Sequence, residues 1–453
     1  MGKRVALHNL GCKVNAYELD EIAGILIARG YEPVPFSDDA DIYIVNTCTV
    51  TNIADRKSRQ MLHRAKKKNP HALVVALGCY VDTDPAGVEK DACIDIALGN
   101  RDKAGLAEVL ATYEQQTEEE TGAASAVGSC ETVAGDTAKT RYRTHTRAFL
   151  KVQDGCNLFC SYCIIPYARG RSVSRMPEDV LREARQIVAQ GVKEIVLTGI
   201  HLSSYGIDFS ETKENRLADL ILRVNELDGI ERIRLGSLEP RLVTPEMVHA
   251  IRQADKLCPH FHLSLQSGSD AVLKRMRRRY TAAEFSEVVA RLRAAYEHPA
   301  ITTDVIVGFP GETEEEFEES RRFVERMDFY ETHVFPFSAR KGTAAEKMEG
   351  QLTQKEKAAR ADVLLALTKE RSKAYRARFP GGSVRVLWEE EETIGGSRYL
   401  TGHTERYVKV AVPAAEGKDT DSFRSGALSD VIPHAFLTDE ILLADRETWG
   451  SAV

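Results

Sequence analysis

Residues 149–170 read FLKVQDGCNLFCSYCIIPYARG, and this stretch decides the interpretation of the chain. A strand-like run, Phe149–Val152, leads into a loop in which Cys156, Cys160 and Cys163 have the spacing C-x-x-x-C-x-x-C. Thiolates are the usual ligands of iron–sulfur clusters, and three thiolates on a four-iron cubane leave one iron open. Zinc sites mostly pair their ligands at two-residue spacing and need a fourth ligand, so we favour a cluster over zinc or unrelated cysteines.

The strand that precedes this loop is the first of six strand candidates in a repeating pattern. Helical patterns separate the strand candidates, and one helix begins with a capping box at Thr313. Short β-branched runs that alternate with helices indicate a parallel sheet. Six βα units are fewer than the eight of a closed barrel, so we expect an open, partial (β/α)6 barrel over residues 141–371. The five later strands are Glu194–Thr198, Arg232–Leu235, His260–Leu265, Ile301–Val307 and His333–Phe337.

A second set of cysteines follows the strands of the first segment. Residues 1–113 predict an open parallel α/β sheet, and a cysteine comes just after each of three strand candidates. Because the carboxyl ends of parallel strands share one edge, these cysteines should converge in space. Cysteines are often simply buried small hydrophobes, but three equivalent positions favour a second cluster site. The pairs are Val5–Leu10 with Cys12, Ile42–Val45 with Cys48, and Leu73–Leu77 with Cys79.

The rest of the chain divides by composition. Residues 114–140 are acidic and then rich in small residues, which predicts a flexible linker. Beyond a polar helix, alternating apolar positions predict a small all-β domain at 372–442, followed by a tail at 443–453. The remaining cysteines have no partner at ligand spacing, and we interpret them as structural: Cys93, Cys130 and Cys258.

Composition excludes several classes of protein. The 453 residues hold nine cysteines, an odd number, with no export signal, which argues against a disulfide framework. No apolar run approaches the roughly 20 residues that span a bilayer, so we expect a cytoplasmic protein. The formal net charge of −7 means that any binding of RNA must depend on local basic patches.

Both cysteine sets, in this order and before a β-domain, resemble the radical S-adenosylmethionine methylthiotransferases, whose C-terminal domain is called TRAM. The resemblance covers nearly the whole chain outside the acidic linker. It is carried by the runs Asn46-Thr47-Cys48, Asp154-Gly155-Cys156-Asn157, Tyr162-Cys163-Ile164-Ile165-Pro166 with Arg169-Gly170, Leu265-Gln266-Ser267-Gly268-Ser269 and Gly308-Phe309-Pro310-Gly311-Glu312.

The resemblance implies two [4Fe-4S] clusters, one held by each cysteine set, and two uses of S-adenosylmethionine. One molecule donates a methyl group to sulfur at the auxiliary cluster of Cys12, Cys48 and Cys79. The other gives a 5′-deoxyadenosyl radical, which removes hydrogen at the target carbon. The implied contacts of S-adenosylmethionine are Tyr162, Gly199, Ser237, Glu239, Gln266, Ile306 and Gly308.

The first cysteine motif also separates branches of the family. It reads Gly11-Cys12-Lys13-Val14-Asn15. This resembles the branch that methylthiolates C2 of N6-threonylcarbamoyladenosine at position 37 of tRNA. The alternatives are N6-isopentenyladenosine in tRNA or an aspartate of a ribosomal protein. A non-catalytic iron–sulfur protein that binds RNA or senses redox state is disfavoured, because an electron carrier more often ligates all four irons.

The implied partners are the tRNA anticodon loop with adenosine 37, an electron donor such as flavodoxin or ferredoxin, and a sulfur source; we expect a monomer. Phosphate contacts would fix the register of the RNA. Two basic runs could supply them, although charge runs are usually only solvated faces. One lies on the helix after Cys48: Arg56, Lys57, Arg59, Arg64, Lys66, Lys67 and Lys68. The denser run is Lys274, Arg275, Arg277, Arg278 and Arg279.

Overall fold

The computed structural model describes residues 2–121, 146–414 and 422–446. Its contacts divide the chain into two compact units. The first unit comprises Met1–Thr144, Asp154–Arg171 and Ser338–Glu346, and the second comprises His145–Gln153, Ser172–Phe337 and Lys347–Val453. The C-x-x-x-C-x-x-C loop, which sequence assigns to the core at 141–371, therefore groups with the N-terminal residues, so both cysteine sets belong to the first unit.

The N-terminal part of the first unit is a five-stranded parallel sheet with the order β2-β1-β3-β4-β5. The short strands β2 and β5 were not predicted from sequence. The elements are β1 (Arg4–Asn9), α1 (Lys13–Ala28), β2 (Glu32–Val34), β3 (Ile42–Thr47), α2 (Asn52–Lys68), β4 (Leu73–Gly78), α3 (Cys79–Thr83), α4 (Pro85–Glu89), β5 (Ile96–Leu98) and α5 (Leu106–Thr121).

The central strands β3 and β4 are buried at every position. Helices cover both faces, which is why these strands are continuous apolar runs rather than alternating ones. Leu26 of α1 and Leu110 of α5 pack on one face, and Leu62 of α2 packs on the other. Helix α5 continues to Thr121, past residue 114, where the linker was predicted to begin. Residues 122–145, with Cys130, lie outside the described part of the chain.

The second unit contains the predicted barrel strands. Parallel pairing joins β6, β8 and β9 in one sheet and β10, β11 and β12 in another, with the bridge Leu238↔Leu263 between them. The elements in chain order, of which α6 lies in the first unit, are β6 (Ala148–Asp154), α6 (Ile165–Arg169), β7 (Val173–Ser174), α7 (Pro177–Ala189), β8 (Glu194–Gly199), α8 (Leu217–Asn225), β9 (Arg232–Leu235), α9 (Pro245–Ile251), β10 (His260–Gln266), α10 (Asp270–Arg275), α11 (Ala282–Ala295), β11 (Ala300–Val307), α12 (Glu314–Met327), β12 (Glu331–Pro336) and α13 (Gln354–Arg376).

The two faces of the barrel strands differ in burial. Val305 and Val307 of β11 are fully buried, whereas Asp304 and Ile306, which alternate with them, stay partly exposed. Because successive side chains of a strand point to opposite faces, the first pair lies on the core side and the second on the open interior side. Polar groups on the interior side are therefore accessible to a ligand.

The C-terminal residues form the predicted all-β domain. Its six strands have the order β16-β13-β14-β15-β18-β17, and Trp388 lies at the centre of the core. Helix α13 extends to Arg376, beyond the predicted boundary at 372. The strands are β13 (Val384–Ile394), β14 (Ser397–Thr404), β15 (Lys409–Pro413), β16 (Leu428–Val431), β17 (Pro433–Thr438) and β18 (Ile441–Ala444). Among the described residues, no helix is long and apolar enough to cross a membrane.

A buried ion cluster centred on Glu194 joins the barrel to this β-domain. The Glu194 carboxylate accepts a hydrogen bond from Arg234 Nε at 2.8 Å, and Arg147 and Arg232 approach within 3.8 and 3.7 Å. Arg232 and Arg234 also donate to backbone carbonyls of the β-domain, at His403 (3.0 Å) and Glu405 (2.9 Å). Burial alone would raise the pKa of Glu194, but the three guanidinium groups outweigh it and lower the pKa to about 2.

We expect Glu194→Gln to lower the free energy of unfolding by about 3–5 kcal/mol, because it removes the carboxylate that Arg232 and Arg234 share, while Arg147 keeps its pair with Glu389. Urea-induced unfolding of the full-length protein measures this change, with the exposed Glu319→Gln as the matched control. In the parent protein the stabilisation is present above pH 4.5 and is lost as the pH falls toward 2, since the folded pKa is the lower one. Equal effects of the two substitutions would contradict the assignment.

Candidate cluster and cofactor site

The N-terminal cysteines lie at one edge of the first unit's sheet. Cys12 caps α1, Cys48 follows β3, and Cys79 is the first residue of α3. The strands before them, β1, β3 and β4, are direct neighbours. All three thiols are free, and burial raises the pKa of the Cys48 thiol to about 11. A metal that binds there must displace the thiol proton, as thiolate ligation generally requires.

Two glycines let these loops approach each other. Gly11 has φ +99° and Gly78 has φ +91°, a region that L side chains rarely adopt. A Cβ atom at Gly11 would lie 2.8 Å from both Cβ and Sγ of Cys48. The Cys48 side chain therefore packs directly against the backbone beside Cys12, which fits two ligands of one compact group.

Buried polar side chains fix the ends of the three strands. The Asn15 amide, on α1, donates from Nδ2 to the carbonyl of Leu10 at 2.7 Å and to that of Thr47 at 2.9 Å. The Thr47 hydroxyl donates to the carbonyl of Leu77 at 2.6 Å. Each of these carbonyls belongs to a residue one or two positions before a cysteine. The network therefore sets the spacing of the loops that carry the cysteines.

Arg169, at the end of the C-x-x-x-C-x-x-C loop, extends this network. Its Nη2 donates to Asn15 Oδ1 at 2.6 Å, and its Nη1 donates to Glu18 Oε1 at 2.9 Å and to Asp154 Oδ1 at 3.0 Å. Lys103 binds the other Glu18 oxygen at 2.5 Å. Burial would lower the pKa of Arg169, but the charges of Cys79 and Glu18 outweigh burial and raise it. This cation therefore links both cysteine-bearing regions within the first unit.

The loop of Cys156, Cys160 and Cys163 closes tightly on itself. The Cys156 N–H donates to the carbonyl of Gly170 at 3.1 Å, and the Cys163 N–H donates to that of Cys160 at 3.0 Å. Gly155 has φ +67°, and a Cβ atom there would lie 2.0 Å from the carbonyl oxygen of Arg171. None of these three cysteines forms a disulfide, and Cys163 stays partly exposed. Three cysteines on one short loop, none of them in a disulfide, are a donor set that suits an iron–sulfur cluster.

The other described cysteines are placed differently. Cys258 is fully buried. Cys93 has ligand-capable neighbours: its sulfur and one ligand atom each of His63 and Asp91 lie within 4.8 Å of one another. Sequence spacing did not reveal this group, because His63 lies on α2, far in sequence from the turn that carries Asp91 and Cys93.

Six of the residues assigned to S-adenosylmethionine lie in the second unit, at or just after the carboxyl ends of β8 to β11; Tyr162 lies in the first-unit loop. The backbone is tight at several of them. A Cβ atom at Gly199 would lie 2.9 Å from Gln153 Oε1, and the Gly308 N–H donates to Glu312 Oε2 at 2.6 Å. Burial raises the pKa of Glu239. The six are Gly199, Ser237, Glu239, Gln266, Ile306 and Gly308.

His201 belongs to the same strand ends and was not singled out from sequence. The backbone N–H of His201 donates to Gln153 Oε1 at 2.7 Å. Burial, with the nearby positive charge of Arg278, lowers the pKa of His201 to about 4, so the ring is neutral at pH 7. The sequence feature that could have singled out His201 is a polar side chain two residues after Gly199.

The side chains of the denser basic run differ in their contacts and in their exposure. Arg275 forms a bidentate ion pair with Glu316, at 2.9 and 2.5 Å, and Arg278 packs over the Tyr280 ring at 4.8 Å. The side chains that stay exposed are Lys274, Arg277 and Arg279.

The basic run on α2 likewise contains side chains with partners and side chains that are exposed. Lys66 pairs with Asp95 at 2.8 Å, and Arg59 lies over the Tyr80 ring at 5.7 Å. The exposed members are Arg56, Lys57, Arg64, Lys67 and Lys68. An RNA contact by either run stays a prediction.

Comparison with known proteins gives matches over most of the chain. The model of the Radical SAM superfamily matches residues 150–324, and that of Uncharacterized protein family UPF0004 matches residues 4–99. The Threonylcarbamoyladenosine tRNA methylthiotransferase MtaB of Bacillus subtilis (strain 168) is 40% identical over 91% of this chain and 91% of its own length. The protein of that name from Aquifex aeolicus (strain VF5) is 38% identical over 90% and 98%. The chain belongs to the radical S-adenosylmethionine methylthiotransferase family.

This methylthiotransferase also resembles relatives with another name. The tRNA-2-methylthio-N(6)-dimethylallyladenosine synthase of Thermoanaerobacter pseudethanolicus is 34% identical over 86% of this chain and 83% of its own length. Among solved structures, the radical S-adenosylmethionine methyltransferase TsrM from Kitasatospora setae has a TM-score of 0.52 at 17% identity, over 74% and 73% of the two chains, which concerns the fold alone. The family makes the protein a transferase and implies a [4Fe-4S] cluster with S-adenosylmethionine.

We expect Gly11→Ala to lower the free energy of unfolding of this methylthiotransferase by at least about 1 kcal/mol. An L side chain in left-handed backbone costs about 1–2 kcal/mol, and the added methyl group would contact Cys48. Gly105→Ala is the matched control, since nothing lies within 4 Å of its added Cβ atom. Urea-induced unfolding compares the two, and a loss as large at Gly105 would refute the close approach of the cysteine loops.

Proposed function

We propose that this methylthiotransferase adds a methylthio group to C2 of N6-threonylcarbamoyladenosine at position 37 of tRNA. The observation that carries the proposal is the identity of 36–40% to relatives named for that nucleoside, against 34% for those named for dimethylallyladenosine. The run from Gly11 to Asn15, with Lys13 and Val14, supports the same branch.

Each cysteine set holds one [4Fe-4S] cluster in this proposal. The chemistry of the bound groups is radical formation from S-adenosylmethionine at one cluster and supply of methylated sulfur at the other. Cys156, Cys160 and Cys163 hold the first, and the second is held by Cys12, Cys48 and Cys79. The support is the donor chemistry, since the two sets of three cysteines lie in the first unit and none of the six is in a disulfide.

The remaining chain binds and orients the substrates. The strand ends at Gly199, Gln266 and Gly308 bind S-adenosylmethionine. The backbone is constrained there, because Gly199 packs closely against Gln153 and both Gln266 and Gly308 have a positive φ. The anticodon loop contacts the exposed cations of the denser basic run, Lys274, Arg277 and Arg279, because cations already paired with carboxylates have less to offer a phosphate. The protein acts in the cytoplasm, where an electron donor such as a flavodoxin or ferredoxin and a sulfur source serve it.

Replacing either cysteine set by alanine should halve the iron bound per chain, since each set holds one of two equal clusters. Only Cys156→Ala/Cys160→Ala/Cys163→Ala should abolish formation of 5′-deoxyadenosine from S-adenosylmethionine, whereas both triple variants should abolish methylthiolation. Iron analysis and chromatography after anaerobic reconstitution measure these outcomes, with Cys93→Ala as the control outside both sets. Full iron content in the Cys12→Ala/Cys48→Ala/Cys79→Ala variant would disprove the second cluster.

Deletion of the gene should remove 2-methylthio-N6-threonylcarbamoyladenosine from tRNA, and complementation should restore it. Mass spectrometry of digested tRNA nucleosides measures both. A change in the isopentenyl nucleoside alone would replace the proposed substrate and keep the chemistry. No change in any tRNA nucleoside would point to a protein substrate.

A further inference from the structure

Three polar side chains from adjacent strands meet on the barrel wall of the second unit. They are His262 of β10, Asp304 of β11 and His333 of β12, and one nitrogen or oxygen atom of each lies within 4.8 Å of the others. His262 Nε2 is 3.2 Å from Asp304 Oδ2, and the two imidazole rings stack with centroids 5.7 Å apart. We name this group the His–Asp–His cluster.

The cluster lies on the interior side of the strands. Its neighbours in sequence, such as Phe261, Leu263 and Val305, are fully buried on the core side. The ring of His262 is oriented by a contact of 3.0 Å between Nδ1 and Thr302 Oγ1, which leaves Nε2 directed to Asp304. His333 is exposed, so a ligand inside the barrel can reach the cluster.

The same strand wall includes a residue assigned to S-adenosylmethionine. Asp304 and Ile306 are two positions apart on β11 and share a face, which separates them by about 7 Å along the strand. A substrate base beside the cofactor would therefore place its substituents within reach of the cluster.

We propose that the His–Asp–His cluster binds the threonylcarbamoyl substituent of the target adenosine and so selects this nucleoside; the proposal rests on the proposed function. The substituent offers a carboxylate, a hydroxyl group and urea N–H and C=O groups. Asp304 accepts hydrogen bonds from the hydroxyl or urea N–H groups. The imidazole N–H of His333 donates to the carboxylate or the carbonyl.

The same cluster disfavours the dimethylallyl substituent. That group is a hydrocarbon, so it would remove water from His262, Asp304 and His333 and return no hydrogen bond. A buried polar group without a partner costs about 1–3 kcal/mol, and sites built to hydrogen-bond a substrate reject analogues that lack the polar group. Selection between the two tRNA substrates thus follows from the polarity of the barrel wall.

The test compares His333→Phe with the parent protein, both full-length and anaerobically reconstituted, on tRNA that bears either substituent. The ring keeps its size but loses its hydrogen bonds. We expect kcat/KM for the threonylcarbamoyl substrate to fall at least tenfold, with iron content and cleavage of S-adenosylmethionine unchanged. The ratio of threonylcarbamoyl to dimethylallyl product should also fall. The matched control is His249→Phe, at an exposed position on α9.

A second variant separates hydrogen bonding from packing. His333→Asn keeps a side-chain N–H, so it should recover part of the lost kcat/KM. Unchanged kinetics of His333→Phe, in an assay where the parent methylthiolates the threonylcarbamoyl substrate, would overturn the cluster's role and leave the proposed function standing. A parent protein inactive on that substrate would overturn both.

The donor set of two imidazoles and one carboxylate could instead suit a divalent metal ion. Zinc analysis of the same preparations decides between the two. Stoichiometric zinc that is present in the parent and in His249→Phe, but lost in His333→Phe, would assign the cluster to a metal and overturn substrate binding. Absence of zinc from all three, together with the loss of kcat/KM in His333→Phe, supports the proposal.

Discussion

The side-chain amide of Asn15 holds together the loops on which the first unit's cysteines depend. It binds the backbone just before Cys12 and just before Cys48, and it accepts a hydrogen bond from Arg169. Each partner is buried or partly buried, where an unpaired polar group is costly. The amide therefore acts as a fixed spacer: a cluster ligand set needs defined separations, and thiols on mobile loops would not provide them.

In the second unit, the two faces of each barrel strand have different roles. One side of each barrel strand contributes apolar side chains to the core, and the other side is left for chemistry. Val305 and Asp304 are neighbours in sequence, yet one is fully buried and the other faces the interior. This alternation lets a stable wall carry polar groups at no cost to its packing, and it places them beside the strand ends.

Local patterns were sufficient to predict much of this architecture. The six barrel strands, the three-cysteine loop and the capping box at Thr313 all depend on residues close in sequence, and the structure contains each of them. The resemblance to the methylthiotransferases added the family, which the relatives confirm, and the name TRAM for the C-terminal domain, which stays a prediction. The short strands β2 and β5 were missed because three residues carry too little periodic signal.

Long-range contacts could not be predicted in this way. Asn15 and Arg169 are 154 residues apart, and no periodicity shows that one binds the other. The ion pair of Arg275 with Glu316 also joins residues that are distant in sequence. Because of this pair, Arg275 is less available to an RNA phosphate than its neighbours in sequence. The His–Asp–His cluster was missed because its members lie on three separate strands. Such groups follow from the register of the sheet, which sequence spacing alone does not give.

The junction between barrel and β-domain has an evolutionary consequence. Arg232 and Arg234 donate hydrogen bonds to main-chain oxygens of the β-domain, at His403 and Glu405, and Arg234 also packs over the Tyr407 ring at 4.8 Å. Every residue type presents the same carbonyl group, so substitutions there leave these bonds available. The residue types at positions 403 and 405 can therefore change without loss of these hydrogen bonds between the barrel and the β-domain.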